Sequence, residues 1–590
     1  MRNYATYFTY PKILAALVAK RLSLSAKRHD TNFLNNISFR KPNNREAHDS
    51  EKILSDIFPP RNRWLRSSVI KRKEATDKPE QLRFKELFNT VMKAKAEASK
   101  TGVTPDWLVH LNSLISGIRQ SVKSPTALSK IKPAGQAYHV KNMKTAEHRV
   151  VVRYSLADSI ISSLVCEYLT DHSDTALQQP YFSDNSYAFR SSRLSKKGGR
   201  VFSYHSATSD IEKYRLVNFE KGIHVAEVDL AKFYDTVNHS VLLHCLDKMI
   251  EQFESQGKPL DHRSIQITRN YLDSFSFSRD AIPNEIKGKR EFKWPAAALE
   301  SLGVNVGGEK IGVPQGGALS CFFANLIMHE LDSIFQTDDG ELAYLRYCDD
   351  FIILHTDKVK CKEYVDKALV KIRELKLVAH SPDEYELTDY RKKIPKKHGS
   401  KLVNEFWNSS KSKNPYRWGK YDADNTMNVP YVSFVGYQRR YDGLLRVRKT
   451  SLRKEYKKQK KLVRSVLKRV GKENISQIKL SKKRIVFRTQ QKLIAMSVGK
   501  KNSYNLNRSL GFCWANGFRE LNSGVKKFNT QLRYLDRSRE EQLGRLRLEL
   551  RKTSYEIAKP QKGKPVETIP KIFTSYFAYF NRDENKKGSP

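Results

Sequence analysis

Two short apolar runs in the middle of the chain enclose a polar turn. Residues 342–346 (Leu-Ala-Tyr-Leu-Arg) and residues 351–355 (Phe-Ile-Ile-Leu-His) are rich in strand-favouring side chains. Between them lies Tyr-Cys-Asp-Asp, which ends in the adjacent carboxylates Asp349 and Asp350. The pattern predicts strand, turn, strand. Burying two carboxylates side by side is costly unless a cation lies between them, and Mg²⁺ prefers such oxygens. Taken alone, however, an acidic pair of this kind is more often a solvated turn.

A second apolar strand is predicted at residues 224–228, and it delivers Asp229 at its end. The chain then passes through Phe233 and Tyr234 into a predicted helix that begins near His239. A carboxylate at a strand terminus can face an acidic turn of the same sheet. Asp229, Asp349 and Asp350 would together hold two Mg²⁺ ions, the arrangement that serves in-line phosphoryl transfer.

A third polar segment is the loop at residues 312–320, Gly-Val-Pro-Gln-Gly-Gly-Ala-Leu-Ser. Proline stiffens this loop, and its glycines let a ligand approach the backbone closely. Residues 322–327 are predicted to be helical, so the loop ends at a helix N-terminus, which favours an anionic or nucleotide ligand. A lone loop of this composition is more often an ordinary turn.

The remaining pattern predicts a mixture of helices and strands. Residues 81–99, 159–169 and 451–470 have helical periodicity, and helical patterns recur to about residue 551. Residues 150–152 are predicted to form a strand, and residues 277–310 an inserted loop rich in Gly, Pro and Lys. Strand-like and helix-like segments alternate from residue 223 to about 440, which indicates an α/β or α+β core.

The charge of the chain points to an anionic partner. The 590 residues include 108 Lys and Arg against 63 Asp and Glu, a formal charge of +45, while 39% of residues are apolar. Nucleic acid is the leading partner because phosphate contacts by basic side chains release counterions; an anionic membrane surface is the alternative. No run of 18 apolar residues occurs, so no transmembrane helix is predicted. The basic helices after residue 449 are expected to contact nucleic acid rather than solvent alone.

The cysteines and the N-terminus carry less information. The six cysteines are scattered without zinc-ligand spacing, so we expect reduced core residues. Residues 1–29 contain no acid, which fits an organellar transit peptide. The aromatic residues Tyr4, Tyr7, Phe8 and Tyr10 favour a folded basic segment instead.

Three of these segments, in this order, resemble motifs A, B and C of reverse transcriptases: Asp229 with Phe233-Tyr234, Pro314-Gln315-Gly316, and Tyr347-Cys348-Asp349-Asp350. The resemblance extends to both sides, over about residues 140–470. Arg149 followed by Asp158, and the run Asn185-Ser186-Tyr187-Ala188-Phe189-Arg190, resemble fingers motifs of group II intron enzymes and their bacterial relatives. Phe434-Val435-Gly436-Tyr437 resembles the primer-grip motif E.

The resemblance implies an α+β, right-hand polymerase fold with fingers, a palm built on an antiparallel sheet, and a helical thumb. The expected organisation is a basic N-terminal extension (1–130), fingers (131–222), a palm with an insertion near 277–310 (223–440), a basic helical thumb and C-terminal helical region (441–558), and a tail (559–590).

The family's catalytic residues carry over to matching positions. Asp229, Asp349 and Asp350 would be the catalytic residues and ligands of two Mg²⁺ ions, with a further oxygen from the backbone of Leu230. The dNTP and primer positions are these: Arg149 on the triphosphate, Phe233, Tyr234, Gln315 and Gly316 in the nucleotide pocket, and Phe434, Gly436 and Tyr437 at the primer grip. Tyr234 would be the steric gate that excludes a ribose 2′-hydroxyl.

Departures from the family pattern narrow the subgroup. The lysine acid of motif D has no clear counterpart at residues 381–385, Ser-Pro-Asp-Glu-Tyr. No Val-Thr-Gly thumb signature occurs, which argues against a retron enzyme. No endonuclease-like His/Asn cluster or zinc-ligand set follows the thumb, which argues against a typical mobile-intron protein. The class that remains is a stand-alone bacterial reverse transcriptase with extra N- and C-terminal segments. Such chains resemble the unknown-group, defence-associated reverse transcriptases that act against phage.

The implied partners are an RNA template, with a dedicated non-coding RNA as one option, a DNA product and dNTPs, with no membrane. A homo-oligomer or a partner protein is left open, as is priming by RNA, DNA or a protein tyrosine. The expected location is the bacterial cytoplasm. The alternatives are a group II intron-type reverse transcriptase/maturase, an RNA-dependent RNA polymerase, which Tyr234 disfavours, and a non-catalytic RNA-binding protein that retains the fold.

Overall fold

A computed structural model describes the chain at residues 3–35, 37, 49–66, 79–124, 131, 133–142, 147–191, 203–282, 292, 294–380, 413–420, 428–472, 478, 480–498, 500–502, 505–510 and 530–553. Two compact units are present: Met1–Ile13 with Asn112–Asp442, and Leu14–Leu111 with Gly443–Pro590. The sequence predictions for residues 381–385, Cys513 and the tail 559–590 lie outside the described residues.

The helices are α1 (Tyr10–Asn35), α2 (Asp49–Asp56), α3 (Pro79–Thr101), α4 (Asp106–Lys123), α5 (Leu156–Thr175), α6 (Tyr204–Asn218), α7 (Phe233–Thr236), α8 (His239–Ser255), α9 (His262–Asp273), α10 (Phe277–Asp280), α11 (Ala296–Glu300), α12 (Leu319–Asp332), α13 (Lys358–Glu374), α14 (Lys449–Lys472), α15 (Lys482–Val498) and α16 (Thr530–Lys552). Short 3₁₀ turns lie at Tyr4–Phe8, Arg61–Arg63 and Ser333–Phe335.

The strands are β1 (Pro133–Asn142), β2 (Glu147–Tyr154), β3 (Ile223–Val228), β4 (Leu342–Tyr347), β5 (Asp350–His355), β6 (Tyr416–Trp418), β7 (Asn428–Val429), β8 (Tyr431–Phe434), β9 (Tyr437–Arg440), β10 (Leu445–Val447), β11 (Lys500–Asn502) and β12 (Asn505–Leu510).

A five-stranded sheet with the order β4-β5-β3-β6-β7 forms the centre of the first unit. Its β4–β5, β5–β3 and β3–β6 pairs are antiparallel, and only β6–β7 is parallel. Strand β5 is buried from Phe351 to His355, because helices cover the sheet. Helix α13 packs on β3 and β5, and α12 packs on α5, α8 and α13. A central sheet buried in this way holds its strand ends rigidly.

The first unit also contains a two-stranded antiparallel pair, β1–β2, followed by α5. The N-terminal aromatic residues pack on α5. The ring of Tyr4 lies 5.3 Å from that of Tyr168, and the hydroxyl of Tyr7 donates to Asp171 at 2.7 Å. Tyr4, Tyr7 and Phe8 are each at most 4% exposed. The predicted packing role of these residues is therefore confirmed.

The second unit is built mainly from helices. Val463, Val466, Leu543, Leu546 and Leu550 belong to its apolar cluster, which joins α14, α15 and α16. The apolar residues of α14 and α16 recur at helical spacing, and most of their basic residues are exposed, whereas Arg539 of α16 is buried. The side-chain amide of Gln531 bonds both backbone groups of Val447 in β10, at 2.7 and 3.0 Å.

Most predicted elements are confirmed: the helices at residues 81–99, 159–169 and 451–470, the helix beginning at His239, and the strands at 150–152, 342–346 and 351–355. The α+β class with antiparallel sheets is also confirmed, whereas the division into fingers, palm and thumb stays a prediction. Among the described residues, none of the helices combines the length and the apolar character needed to cross a membrane.

Two predictions were wrong in part. The segment 277–310 is not only a loop, because it contains α10 and α11, and the ring of Phe277 stacks on Trp294 at 4.4 Å. Its aromatic residues supply a small core that Gly, Pro and Lys content did not indicate. The helical pattern expected up to residue 551 is interrupted by the hairpin β11–β12, a segment whose Asn and Ser residues favour turns over helix.

Candidate active site

The turn between β4 and β5 brings the two adjacent carboxylates to one edge of the sheet. Tyr347 pairs with Asp350 in the hairpin register, so the turn consists of Cys348 and Asp349. Cys348 has φ of +63°, a left-handed conformation that suits tight two-residue hairpins. The predicted strand, turn, strand is confirmed, and both carboxylates are half-buried.

Asp229 reaches the same edge from the neighbouring strand. Strand β3 runs antiparallel to β5, and its last residue, Val228, pairs with Phe351. Asp229 directly follows Val228, and Asp350 directly precedes Phe351. Strand register therefore places these two aspartates beside each other, and the three predicted carboxylates share one sheet edge.

The backbone after β3 is held by a second segment. The carbonyl of Asp229 accepts a hydrogen bond from the N–H of His380 at 2.7 Å, and the N–H of Ala231 donates to the carbonyl of Val378 at 2.7 Å. Leu230 forms a bridge with Ala379 between them. Residues 378–380 thus hold Asp229 and Leu230 like a short additional strand.

Arg346 anchors the β4–β5 hairpin from within the core. Its side chain is fully buried and forms a two-pronged pair with Asp332 of α12, at 2.7 and 2.6 Å. The same guanidinium donates to the carbonyl of Cys348 at 3.0 Å and to Asn325 at 3.2 Å. Since a bidentate pair fixes direction as well as distance, this network orients the turn that carries Asp349.

The predicted steric gate lies on α7, directly after the strand that carries Asp229. Tyr234 is partly buried, and its hydroxyl lies 3.1 Å from the sulfur of Cys348. Burial is the largest cause that raises the pKa of this hydroxyl. Phe233 is only 2% exposed and meets the Tyr234 ring edge-on at 5.3 Å. Phe233 therefore supports the ring of Tyr234 from the core.

Two glycines of the loop at residues 312–317 are required by its surroundings. Gly316 has φ of +97°, and a Cβ there would lie 2.9 Å from a methyl of Val151. A Cβ on Gly317 would lie 1.3 Å from the hydroxyl oxygen of Tyr271. The loop passes so closely over these side chains that only glycine fits. As predicted, it leads directly into a helix, α12.

The loop is tied to both neighbouring elements. The N–H of Val313 donates to the carbonyl of Tyr234 at 2.8 Å, and the carbonyl of Gln315 accepts from Val152 of β2 at 2.9 Å. The side-chain amide of Gln315 donates to Asp235 at 2.5 Å. The structure thus brings Gln315 and Tyr234, predicted as one nucleotide pocket, into one bonded assembly.

Arg149 lies on β2, three residues before Val152, and its side chain is exposed. It pairs with His139 across the β1–β2 ladder. Asp158, the other half of this predicted fingers motif, accepts from the Ser155 hydroxyl at 2.7 Å at the start of α5. Burial raises the pKa of Asp158. Arg149 is therefore presented to solvent, while Asp158 stabilises a helix start.

The second predicted fingers motif lies against the β4–β5 hairpin. Arg346 of β4 donates its N–H to the carbonyl of Asn185 at 2.8 Å and accepts from Tyr187 at 2.9 Å. Arg190 forms a buried ion pair with Asp174 at 2.8 Å. This motif braces β4 by adding a short parallel bridge to its outer edge.

The predicted primer-grip residues form a second hairpin, β8–β9. Phe434 pairs with Tyr437, and the turn between them has positive φ at both Val435 (+41°) and Gly436 (+89°). Phe434 and Tyr437 are buried. An open cleft of about 450 Å³ is lined by this turn at Val435 and by residues 347–350. The two hairpin turns therefore face one space.

The side chains of Asp229, Asp349 and Asp350 and the backbone carbonyl of Leu230 are oxygen donors at this edge of the sheet. Oxygen donors are the ligands that hard divalent cations such as Mg²⁺ prefer. Within the part of the chain that the structure describes, however, no group of three or more His, Cys, Asp or Glu side chains is arranged to hold a metal ion. The donor set fits Mg²⁺ by residue type and strand placement, and metal binding remains a proposal.

Several contributing residues were missed by sequence reasoning. Arg346, Asp332 and Tyr271 carried no motif, and their partners are brought to them only by the fold. Asp235 follows Tyr234 directly and is only 9% exposed. An acidic residue directly after the two aromatic residues Phe233 and Tyr234 was the one local signal that could have identified it.

Comparison with known protein families identifies one match. Residues 140–381 match the family model described as "Reverse transcriptase (RNA-dependent DNA polymerase)". No curated protein sequence matched the chain.

Among solved structures, the chain aligns with telomerases from two Candida species. Telomerase from Candida albicans in complex with a fragment of telomeric RNA is 12% identical, with 85% of this chain and 80% of that chain covered and a TM-score of 0.29. Apo telomerase from Candida tropicalis is 11% identical over 84% and 80%, with a TM-score of 0.31.

The family match runs from the end of β1 through α13, and it includes the three carboxylates, Tyr234 and the glycine loop described above. Residues 140–381 therefore form a reverse transcriptase domain, and this match supports an RNA-dependent DNA polymerase.

Proposed function

We propose that this protein copies RNA into DNA by adding dNTPs to a 3′-hydroxyl at the sheet edge where Asp229, Asp349 and Asp350 meet. The observation that carries this proposal is the register of β3 on β5, together with the two-residue turn of β4–β5. These strands bring carboxylates 120 positions apart in the sequence to one place, as phosphoryl transfer requires.

Two Mg²⁺ ions would be held by Asp229, Asp349 and the backbone oxygen of Leu230, with Asp350 supporting the site. When bound, such ions favour loss of the attacking hydroxyl's proton and stabilise the leaving pyrophosphate. The chain's own contribution is placement. Backbone bonds at residues 378–380 and the buried Arg346 hold the ligands before any ion arrives.

The incoming nucleotide would lie between β2 and α7. The exposed guanidinium of Arg149 suits the triphosphate, and Gln315 and Gly316 would form the pocket wall. The ring of Tyr234, supported by Phe233, would clash with a 2′-hydroxyl. Because Tyr234 is hydrogen-bonded at its hydroxyl, its ring cannot swing aside freely to admit a ribonucleotide.

The protein would hold primer and template through contacts to their sugar-phosphate backbones. The β8–β9 turn, with Phe434 and Tyr437 buried beneath it and Gly436 at its tip, shares a cleft with the catalytic turn. In the second unit, α14 exposes a stripe of cations at spacings of three and four: Arg453, Lys457, Lys461, Arg464 and Lys468. Such a stripe suits the phosphates of an RNA–DNA duplex, which proteins grip by shape and charge.

We further propose a role in bacterial antiviral defence, with a dedicated non-coding RNA as template and the cytoplasm as its place of action. The support is the resemblance to stand-alone bacterial reverse transcriptases, together with the extra segments before residue 140 and after residue 470. Sequencing of the RNA and DNA that copurify with the protein identifies the template and product. An intron RNA among them favours the group II maturase alternative.

The assay for the activity itself uses the full-length protein, a primed RNA template and dNTPs, with Mg²⁺ or with excess chelator. We expect primer extension with Mg²⁺ and none with chelator. RNA binding without extension under any Mg²⁺ concentration would instead identify a non-catalytic RNA-binding protein.

A further inference from the structure

Asp235 is a buried carboxylate at the pocket wall for which the reaction described above has no role. It lies on α7, one residue after Tyr234, and is 9% exposed. Its Oδ1 accepts a hydrogen bond of 2.5 Å from the side-chain amide nitrogen of Gln315. Burying a carboxylate is costly, so a neutral side chain would serve better if only packing were needed here.

The rest of Gln315 is already fixed by its backbone. Its carbonyl accepts from Val152, and its loop is tied to α7 through Val313. Only the side-chain torsion angles of Gln315 are not fixed by these backbone bonds. An ionised carboxylate can only accept hydrogen bonds, so Asp235 requires the amide nitrogen of Gln315 to face it. The amide oxygen is thereby turned away from Asp235 and left as an acceptor.

Cations surround this carboxylate on two elements. Lys232 precedes it at the start of α7, and Arg149 and Lys141 lie on the β1–β2 pair. Lys232 and Lys141 are both paired with Glu147, at 2.6 and 3.1 Å. Burial raises the pKa of Asp235 to about 6, and these cations and Gln315 oppose that rise. Asp235 is therefore charged at neutral pH.

We propose that Asp235 is a positioning residue for nucleotide selection: its carboxylate holds the amide of Gln315 so that the amide oxygen is presented to a hydroxyl of the incoming nucleotide's sugar. This inference rests on the proposed polymerase function and assigns a specific task within its pocket. Asp235 itself does not touch the nucleotide and acts through Gln315.

The test is a double-mutant cycle in steady-state dNTP incorporation by the full-length protein. Asp235→Asn preserves size and removes the charge, so we expect the KM for dNTP to rise about tenfold while kcat changes less than about twofold. In a Gln315→Ala background, Asp235→Asn should add no further change in KM. The inference is overturned if Asp235→Asn leaves the KM unchanged. It is also overturned if Asp235→Asn raises the KM by the same factor in the wild type and in the Gln315→Ala variant.

Two further variants keep the test decisive. Asp247→Asn, which removes a carboxylate at the exposed surface of α8, should leave KM unchanged. If Asp235→Asn fails to fold, Gln315→Glu replaces it. Two carboxylates would then face each other, so KM should exceed that of Gln315→Ala, and a KM that does not overturns the inference. A wild type that incorporates no nucleotide defeats the proposed function and this inference together, whereas an active wild type with no coupling between the two residues defeats only the inference.

Discussion

The hydroxyl of Tyr234 lies 3.1 Å from the sulfur of Cys348. This contact joins the turn after β3 to the turn between β4 and β5, over 114 positions of sequence. It gives the cysteine of the Tyr-Cys-Asp-Asp run a physical role that the sequence did not indicate. A small side chain with a polarisable sulfur fits a buried, left-handed turn and still reaches the tyrosine.

Loss of this contact should weaken discrimination against ribonucleotides. Cys348→Ala removes the partner of the Tyr234 hydroxyl and keeps a Cβ on the same backbone. We expect the ratio of dNTP to rNTP incorporation efficiency to fall about threefold to tenfold, because one hydrogen bond no longer restrains the ring. Cys348→Ser should retain most of the ratio. Cys361→Ala, which also removes a buried cysteine, is the control, and equal ratios in all three variants would contradict the role.

Removal of the ring itself should have a larger effect. Tyr234→Val opens the space that a 2′-hydroxyl needs, so rNTP incorporation should rise by about tenfold or more relative to dNTP. Tyr234→Phe preserves the ring and loses only the hydroxyl, so its ratio should match that of Cys348→Ala. Single-nucleotide extension with matched dNTP and rNTP pairs measures both. A Tyr234→Val enzyme that still rejects rNTPs would show that another residue forms the gate.

The glycine loop should tolerate no side chain at position 317. In Gly317→Ala, the new Cβ would coincide with the hydroxyl of Tyr271, which is itself fully buried. We expect destabilisation by about 1–3 kcal/mol from overpacking and loss of incorporation, because displacement of the loop also moves Gln315. Gly340→Ala is the matched control, since a Cβ there has nothing within 4 Å. Melting temperature and activity are the two readouts, and a Gly317→Ala protein equal to the control in both would refute the close approach.

The stability of the protein should carry a pH signature from Asp235. Its pKa is raised from 3.8 to about 6 in the folded state, chiefly by burial. The folded state therefore binds this proton more tightly, and its contribution to stability falls as pH rises from about 4 to 6. Asp235→Asn escapes this cost, so it should be more stable than wild type at pH 7.5, by up to about 3 kcal/mol.

The same comparison repeated at pH 4 should show the advantage of Asp235→Asn reduced or lost. Urea unfolding at both pH values gives the measurement. A constant difference between variant and wild type across this range would mean that Asp235 does not titrate as described.

The parts of the fold that the sequence predicted are those encoded locally. The apolar runs beside Asp349 and the strand before Asp229 were recognisable because each strand's pattern is contained within a few residues. The contacts that hold the site are of another kind. Arg346 and Asp332, or Asp235 and Gln315, lie 14 and 80 positions apart. Their partners depend on how helix α12 and the glycine loop pack, which no short pattern records.

The helices of the segment 277–310 illustrate the same limit. Its Gly, Pro and Lys content indicated a loop, while Phe277 and Trp294 stack at 4.4 Å and Trp294 packs against a small core that includes Leu299. Tertiary burial of a few apolar side chains outweighed the local composition. Local preference is a weak guide wherever packing decides the conformation.

The most direct test of the central claim is primer extension on RNA by the double variant Asp349→Ala, Asp350→Ala. A matched control is Asp247→Ala with Glu251→Ala, which removes two carboxylates from the outer side of α8. RNA affinity and thermal unfolding verify that both proteins remain folded. The account predicts that the variant at the turn binds RNA normally and incorporates no dNTP, while the control extends the primer like wild type. DNA synthesis by the turn variant at the wild-type rate would contradict it.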